Sequence, residues 1–451
     1  MSGNVFIAKA HELFDRFDPK YVQFARRSAS FRYPAVRLGA LLSEPTEYGA
    51  AEAGIERVSE ELPRYVRITD IDENGMLLPG LGATAENIDP AYFLSDGDLL
   101  FARSGNTVGK TYLHEDNRVD YPCFYAGYMI RFRFTDAVLP KYVFAFTQTP
   151  YYHEWVNAIQ RTAGQPNINA QEYRSLEIPM APPRIQRKIV AELDAAYAAK
   201  RAADAKATKL LASIDDMVLN ALGIAKLPKP DTSLSSRIFT VPAREVHNGR
   251  LDPIAYQSMR RQFYKNVREG TYEAVRLGDV VDVDRCQTDS LDGLTYVGLE
   301  NINGSDGTYS PTGGKESIST AVLFRKGEIL FPKLRPYLNK VWLADFDGAA
   351  STEFFPLIPT GASAEYLIVY LRLTQVASVM TLLMTGNTLP RVQLEDVLSL
   401  PVPIPPRPVQ DHIASTASSI RAEACKLKAD ATAALDAAKG KIEEELIRKE
   451  S

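Results

Sequence analysis

Hydrophobic and polar positions change rhythm midway through each half of this chain. In residues 65–71, 98–103 and 128–134, short runs rich in β-branched and aromatic residues are separated by Gly, Asn and Pro. That pattern predicts strands of a mixed, sheet-rich domain. A cluster from Pro179 to Pro183 ends it, because proline fixes φ and withholds a hydrogen-bond donor. From 184 to 222 the apolar and small positions include Leu193, Ala196, Ala203, Ala207, Leu210, Ile214, Met217 and Ala221, with Lys200 interrupting them. Their spacings of three and four are those of a helix that pairs with another. The same succession then recurs. Strand-like runs at 328–332 and 340–344 lead to a second proline cluster at 401–408 and a second helical stretch at 409–447. Its seam is Ala417, Ile420, Ala424, Leu427, Ala431, Ala434 and Ala438. Each helix would be about 60 Å long at a rise of 1.5 Å per residue. A narrow seam does not stabilise so long a helix alone, so the two are expected to pack on each other. The alternative is two independent amphipathic helices, each lying on its own domain. Alanine lets helices approach closely but buries little area, so the outer faces are expected to meet another protein.

The recurrence extends to the letters themselves. RFDPKYVQFARR from Arg16 is answered by RLDPIAYQSMRR from Arg250, and VRLG from Val36 by VRLG from Val275. YVRITDIDENG from Tyr65 is answered by YVGLENINGSDG from Tyr296, and GDLLF from Gly97 by GEILF from Gly327. IPMAPPRIQ from Ile178 is answered by VPIPPRPVQ from Val402. The five matches keep one order, with offsets between 224 (Ile178 to Val402) and 239 (Val36 to Val275). The chain is therefore a tandem duplication of one sheet-then-helix module. A short Pro-rich connection beginning Lys226-Leu-Pro-Lys-Pro230 separates the copies.

Composition narrows the class of protein. A chain of 451 residues with 45% hydrophobic content is long enough for two or three domains, each with its own core. No apolar run is long enough to span a bilayer, and the first ten residues do not look like a secretion signal. The three cysteines, Cys123, Cys286 and Cys425, lie far apart and suggest neither a disulfide framework nor a metal site. A reduced, cytoplasmic protein is expected. The formal net charge of −4 argues against a uniformly basic nucleic-acid coat, but not against a local basic face.

Two loops in each copy combine cations, amides and glycine. In the first copy, 101–110 follows a strand and carries Arg103, Ser104, Asn106 and Lys110. Its counterpart, 331–340, carries Lys333, Arg335, Tyr337, Asn339 and Lys340 with no acid among them. The second loop precedes the proline stop. It offers Arg161, Gln165 and Asn167 in the first copy, and Asn387 and Arg391 in the second. Arg pairs with guanine and Asn or Gln with adenine through two coplanar hydrogen bonds, and all of these side chains can donate to phosphates. For any one of them the plainer reading is a solvated loop residue; it is as a set that they point to DNA. Residues 104–111 nearly spell a P-loop, but Ser104 stands where the first glycine is required, and Tyr112-Leu-His-Glu-Asp does not continue as a helix. There is no dinucleotide fingerprint and no Asn-Pro-Pro-Tyr-type methyltransferase site. The five histidines are scattered, and no nuclease cluster stands out. These absences together favour binding over catalysis, with no cofactor and no metal.

On these motifs the chain resembles the specificity (S) subunits of type I restriction-modification systems. The resemblance covers nearly the whole sequence. It is most specific at Gly164-Gln-Pro-Asn-Ile-Asn169 running into 178–190, at Leu389-Pro-Arg391 running into 400–406, and at 333–340. It implies an α+β fold in which two tandem sheet-rich target recognition domains are each followed by a long helix, the helices pairing as an antiparallel coiled coil. The expected boundaries are 1–183 and 184–225 for the first domain and its spacer helix, and 226–406 and 407–451 for the second. It also implies a non-catalytic DNA-binding subunit for phage defence. Each domain would read one half of a split double-stranded target, and the helix pair would set the gap. Two methyltransferase (M) subunits would dock on this frame, and restriction (R) subunits can join. The Glu-Glu-Gln expected after the proline run is Arg184-Ile185-Gln186 here and Pro408-Val409-Gln410 in the second copy, so the M-subunit contact is expected to differ in detail. Other readings are a self-contained restriction or methylating enzyme, for which the two copies leave no room, and a repeat scaffold that binds only protein.

Overall fold

The computed structural model describes residues 19–27, 31–160, 165–228, 233, 238–242, 253–311, 320–386 and 388–448. The Arg-x-Asp-Pro motifs lie largely outside these residues, as do the candidate residues Arg161 and Asn387. The chain forms two compact units, one of residues 1–202 with 430–451 and the other of residues 203–429. Each unit contains one sheet-rich body and half of each long helix.

In the first unit the strands are β1 (Ala35–Arg37), β2 (Glu47–Tyr48), β3 (Ile55–Glu56), β4 (Arg64–Val66), β5 (Ala83–Thr84), β6 (Leu99–Ala102), β7 (Thr111–Leu113), β8 (Cys123–Tyr125), β9 (Met129–Phe132) and β10 (Glu177–Pro179). The helices are α1 (Pro19–Arg27), α2 (Pro140–Phe146), α3 (Pro150–Ile159), α4 (Ala170–Arg174) and the start of α5 (Pro183–Leu222). One sheet has the order β2-β9-β6-β7 and is antiparallel throughout. Its central strands, LLFA in β6 and MIRF in β9, are buried at every position, as expected of strands covered on both faces. The other sheet has the order β3-β5-β4-β8, with β4 and β8 parallel. Local chemistry starts the helices. Proline occupies the first turn of α2 and α3, Thr149 caps α3, and Asn169 with Glu172 forms a capping box on α4.

The second unit repeats this plan. Its strands are β11 (Ala274–Arg276), β12 (Val281–Val283), β13 (Gln287–Thr288), β14 (Thr295–Val297), β15 (Ala321–Phe324), β16 (Ile329–Pro332), β17 (Trp342–Leu343), β18 (Gly348–Ser351), β19 (Phe354–Pro359) and β20 (Pro401–Pro403). The helices are α6 (Ser258–Arg268), α7 (Ala364–Leu371), α8 (Thr374–Leu382), α9 (Leu394–Leu398) and α10 (Arg407–Leu446), with the end of α5. The sheet β12-β19-β16-β17 matches β2-β9-β6-β7 strand for strand. The other sheet differs in one neighbour. Four-residue β15 pairs with β18, whereas two-residue β5 pairs with β4.

Two of the repeated motifs prove to be partners. VRLG lies antiparallel to the proline stop, with Val36 opposite Ile178 in the first unit and Val275 opposite Val402 in the second. The glutamine that closes the proline motif acts as a latch. Gln186 accepts from the Leu139 N–H and donates to the Ala181 carbonyl. Gln410 does the same with Ser363 and Pro405. Both glutamines are buried. A tyrosine above each latch, Tyr142 or Tyr366, donates to the carbonyl of Pro179 or Pro403.

The long helices match the spans expected from sequence to within two residues: Pro183–Leu222 against 184–222, and Arg407–Leu446 against 409–447. Inside the first unit they run antiparallel. Lys188 meets Glu445 at 3.3 Å, while Tyr197 and Lys439 both reach Asn74. Ile189, Leu193, Tyr197, Leu435, Ile442 and Leu446 belong to that unit's core. In the second unit Ile214, Val218, Leu222, Ile413 and Ala417 share a core. The seam differs in detail from the expected one. Tyr197, Val218, Leu222 and Leu435 are buried, while Met217 and Ala221 flank the seam and Ala434 faces solvent. Tyr197 can occupy a seam because its hydroxyl finds the Asn74 carbonyl at 2.9 Å.

Candidate nucleic-acid interface

Each first loop closes a β-hairpin. Residues 103–110 join β6 to β7, and residues 333–341 join β16 to β17. Each second loop lies between a longer and a short helix, α3 and α4 or α8 and α9. The backbone ladders the two loops together in the same way in both units. In the first, Gly105 N–H donates to Pro166 O at 3.0 Å and Ile168 N–H to Arg103 O at 2.9 Å. In the second, Arg335 N–H donates to Pro390 O at 3.1 Å and Val392 N–H to Lys333 O at 3.0 Å. The ladder therefore equates Gly105 with Arg335 and fixes the register of the side chains. Both residues are left-handed, with φ of 74° and 48°. This conformation costs an arginine about 1–2 kcal/mol and a glycine almost nothing.

Side chains on the ladder divide into three groups. Asn106 and Gln165 in the first unit, and Arg335 and Tyr337 in the second, are exposed. A second group is semi-committed. Arg103 lies over the Tyr48 ring at 4.9 Å, with its Nε buried and unpaired. Ser104 is buried and its hydroxyl unpaired, and it bridges to half-buried Asn167. Lys333 donates to the Thr352 carbonyl and sits 4.6 Å from the Phe355 ring centre. Burial holds its ammonium below the ordinary lysine range, against the opposing pull of Glu353. Arg391 grips Glu353 through Nε at 2.8 Å and Nη2 at 2.6 Å. These bonds hold the carboxyl below its ordinary range.

The third group is spent on the hairpin itself. Lys110 donates to Ile71 O at 2.9 Å and Lys340 to Leu299 O at 2.6 Å. Asn339 donates to Arg372 O, and Arg372 donates back to Asn339 O, both at 2.7 Å. Sequence reasoning missed Tyr48 and Glu353. Tyr48 comes from β2, and Glu353 from the turn between β18 and β19, so only sheet register brings them to the ladder. Where Lys333 N–H meets Glu353 O, Arg103 N–H meets Tyr128 O. Tyr128 is 61% exposed. The P-loop-like segment turns back into β7 after Lys110 and does not lead directly into a helix. Among the described residues no group of three or more His, Cys, Asp or Glu could hold a metal ion, and no helix is long and apolar enough to cross a membrane.

Residues 269–435 match the model of the type I restriction modification DNA specificity domain. That stretch contains both laddered loops of the second unit. Over that stretch the chain is similar to the specificity subunits of type I restriction-modification systems. The EcoKI specificity subunit of Escherichia coli (strain K12) is 25% identical over 232 residues, 49% of this chain and 47% of that subunit. The EcoDI specificity subunit of Escherichia coli is 32% identical over 90 residues, 20% of each chain. The chain thus spans about half the length of one of these curated relatives and a fifth of the other. The crystal structure of the type I S subunit from M. genitalium aligns with 94% of this chain and 98% of its own, at 12% identity and a TM-score of 0.41. The first unit repeats the matched stretch in its sequence motifs, the order of one sheet and the ladder.

Proposed function

We propose that this chain is the DNA-reading subunit of a type I restriction-modification complex and carries out no chemistry of its own. Residues 1–183 would read one half of a split target and 226–406 the other, with 184–225 and 407–451 as spacer helices. The observation that carries this reading is the duplicated ladder: one backbone device, used twice, presents amides in one unit and a cation with an aromatic in the other. Asn106, Gln165, Arg335 and Tyr337 would face the DNA, with Arg103, Lys333 and Arg391 behind them, while Lys110, Lys340 and Asn339 shape the hairpins. Two methyltransferase subunits, joined by restriction subunits in the restricting complex, would supply catalysis in the cytoplasm, and the chain would need no cofactor.

Salt-dependent gel shifts on genomic fragments test this reading. A DNA reader loses affinity steeply with salt, since each neutralised phosphate releases counterions. A scaffold that binds only protein would give no shift at any salt. Methylome sequencing of cells with and without the gene should reveal a two-part motif that disappears with it. Methyl transfer by the purified chain alone would refute the non-catalytic role.

A further inference from the structure

The two ladders present different tips. Three of the five large hydrophobic side chains described as exposed in the second unit sit on its ladder: Tyr337 at 49%, Leu338 at 41% and Leu389 at 47%. In the same register the first unit has Thr107, Val108 and Gln165. Val108 packs against the core and Gln165 is exposed and polar. The second unit's tip is also held by backbone bonds. Left-handed Arg335 and Asn339 bracket the turn Pro336–Leu338, Pro336 is buried, and Asn339 is bonded both ways to Arg372. Leu389 precedes Pro390, whose carbonyl receives the Arg335 N–H. Scattered exposed hydrophobics need no explanation, but three on one cation-bearing loop pair do. The nearby carboxylate, Glu353, is neutralised by Arg391, so the tip is open to a polyanion.

We propose that the second unit is a wedge as well as a reader. Tyr337, Leu338 and Leu389 would enter between neighbouring base pairs of duplex DNA and unstack one step, while Arg335 holds the adjoining backbone. The inference rests on the DNA-reading role proposed above and adds deformation by one unit only. Apolar side chains that part base steps kink the duplex, and flexible pyrimidine–purine steps part most easily. The occupant is therefore a base step of double-stranded DNA, and the half-site read by the second unit should contain such a step.

The test uses the full chain and duplexes carrying its own methylome-defined motif, with 2-aminopurine placed at successive positions. Emission should rise severalfold at one step of one half-site and stay quenched throughout the other. The combined Leu338→Ala and Leu389→Ala variant should keep binding the motif but lose that rise. Leu389→Ala alone should lessen it, and Tyr337→Phe should keep it. Circular dichroism would check that each variant folds. Preference for the motif without any rise, or a rise that survives the double variant, overturns the wedge and leaves the reading standing. No preference for the motif over a scrambled duplex overturns both.

Discussion

Glu353→Gln tests how the second ladder manages its charge. The wild-type carboxylate takes two hydrogen bonds from Arg391, at 2.8 and 2.6 Å, and lies beside Lys333. Counting those three groups, the local charge is +1, and the amide raises it to +2 while keeping the side chain's shape. If the released cation finds a phosphate, the slope of log K against log salt should steepen by about 0.9. Between 50 and 200 mM salt that amounts to about 3.5-fold additional loss of affinity, starting from tighter binding at low salt. Preference for the motif over scrambled DNA should fall, because Arg391 is no longer oriented by a fixed partner. Stability should change little, since a half-exposed pair contributes under about 1 kcal/mol. Fluorescence-anisotropy titrations at several salt concentrations on both duplexes would measure all of this. An unchanged slope on both would refute the placement of this cluster at the DNA.

Other expectations follow from the same geometry. Lys110→Met and Lys340→Met should each cost roughly 1.5–3 kcal/mol in denaturant unfolding, the range for hydrogen bonds to charged groups, and leave the salt slope unchanged; a flatter slope with normal stability would make these lysines phosphate contacts. Gln186→Ala and Gln410→Ala should each destabilise the chain by roughly 1–3 kcal/mol, because each removes the partner of a backbone N–H, partly buried at Leu139 and buried at Ser363; denaturant midpoints at the wild-type level would dismiss the latch. The Glu353 carboxyl is held below its ordinary value of 4.5, so the pair's contribution to stability is complete above that pH and lost as pH falls through the lowered value. The stability difference between wild type and Glu353→Gln should accordingly vanish on acidification; a difference that persists in acid would count against the ion pair as its source.

The sequence made the helices, the duplication and the pairing of sheet-rich body with helix visible, because each is written in local spacing or repeated letters. It also singled out two loops in each copy. It could not show that these loops form one ladder, or that VRLG pairs with the proline stop, since both depend on contacts far apart in the chain. The same blindness affects charge. Lys110 and Lys340 look like ideal phosphate donors in sequence, yet each is tied to a backbone carbonyl. Glu353 gave no signal at all, although it decides how much of Arg391 is available. The helix seam erred where a tyrosine displaced the expected small residue: Tyr197 is buried because its hydroxyl has a partner that only the fold supplies.

The glutamine latch has an implication for inheritance. In both units it joins the body to its helix through two backbone groups, and it does so although the residues that carry them differ, Leu139 and Ala181 in one unit and Ser363 and Pro405 in the other. A genetic exchange with its crossover inside the proline motif would hand a new body the same two hydrogen bonds and the same strand partner. Such a hybrid breaks no contact at the join, so selection would meet it first as a change of target and only later, if at all, as a loss of stability. On the DNA-reading role proposed above, a lineage carrying this gene would acquire a new specificity in one step, whereas point substitution would have to rebuild a ladder residue by residue.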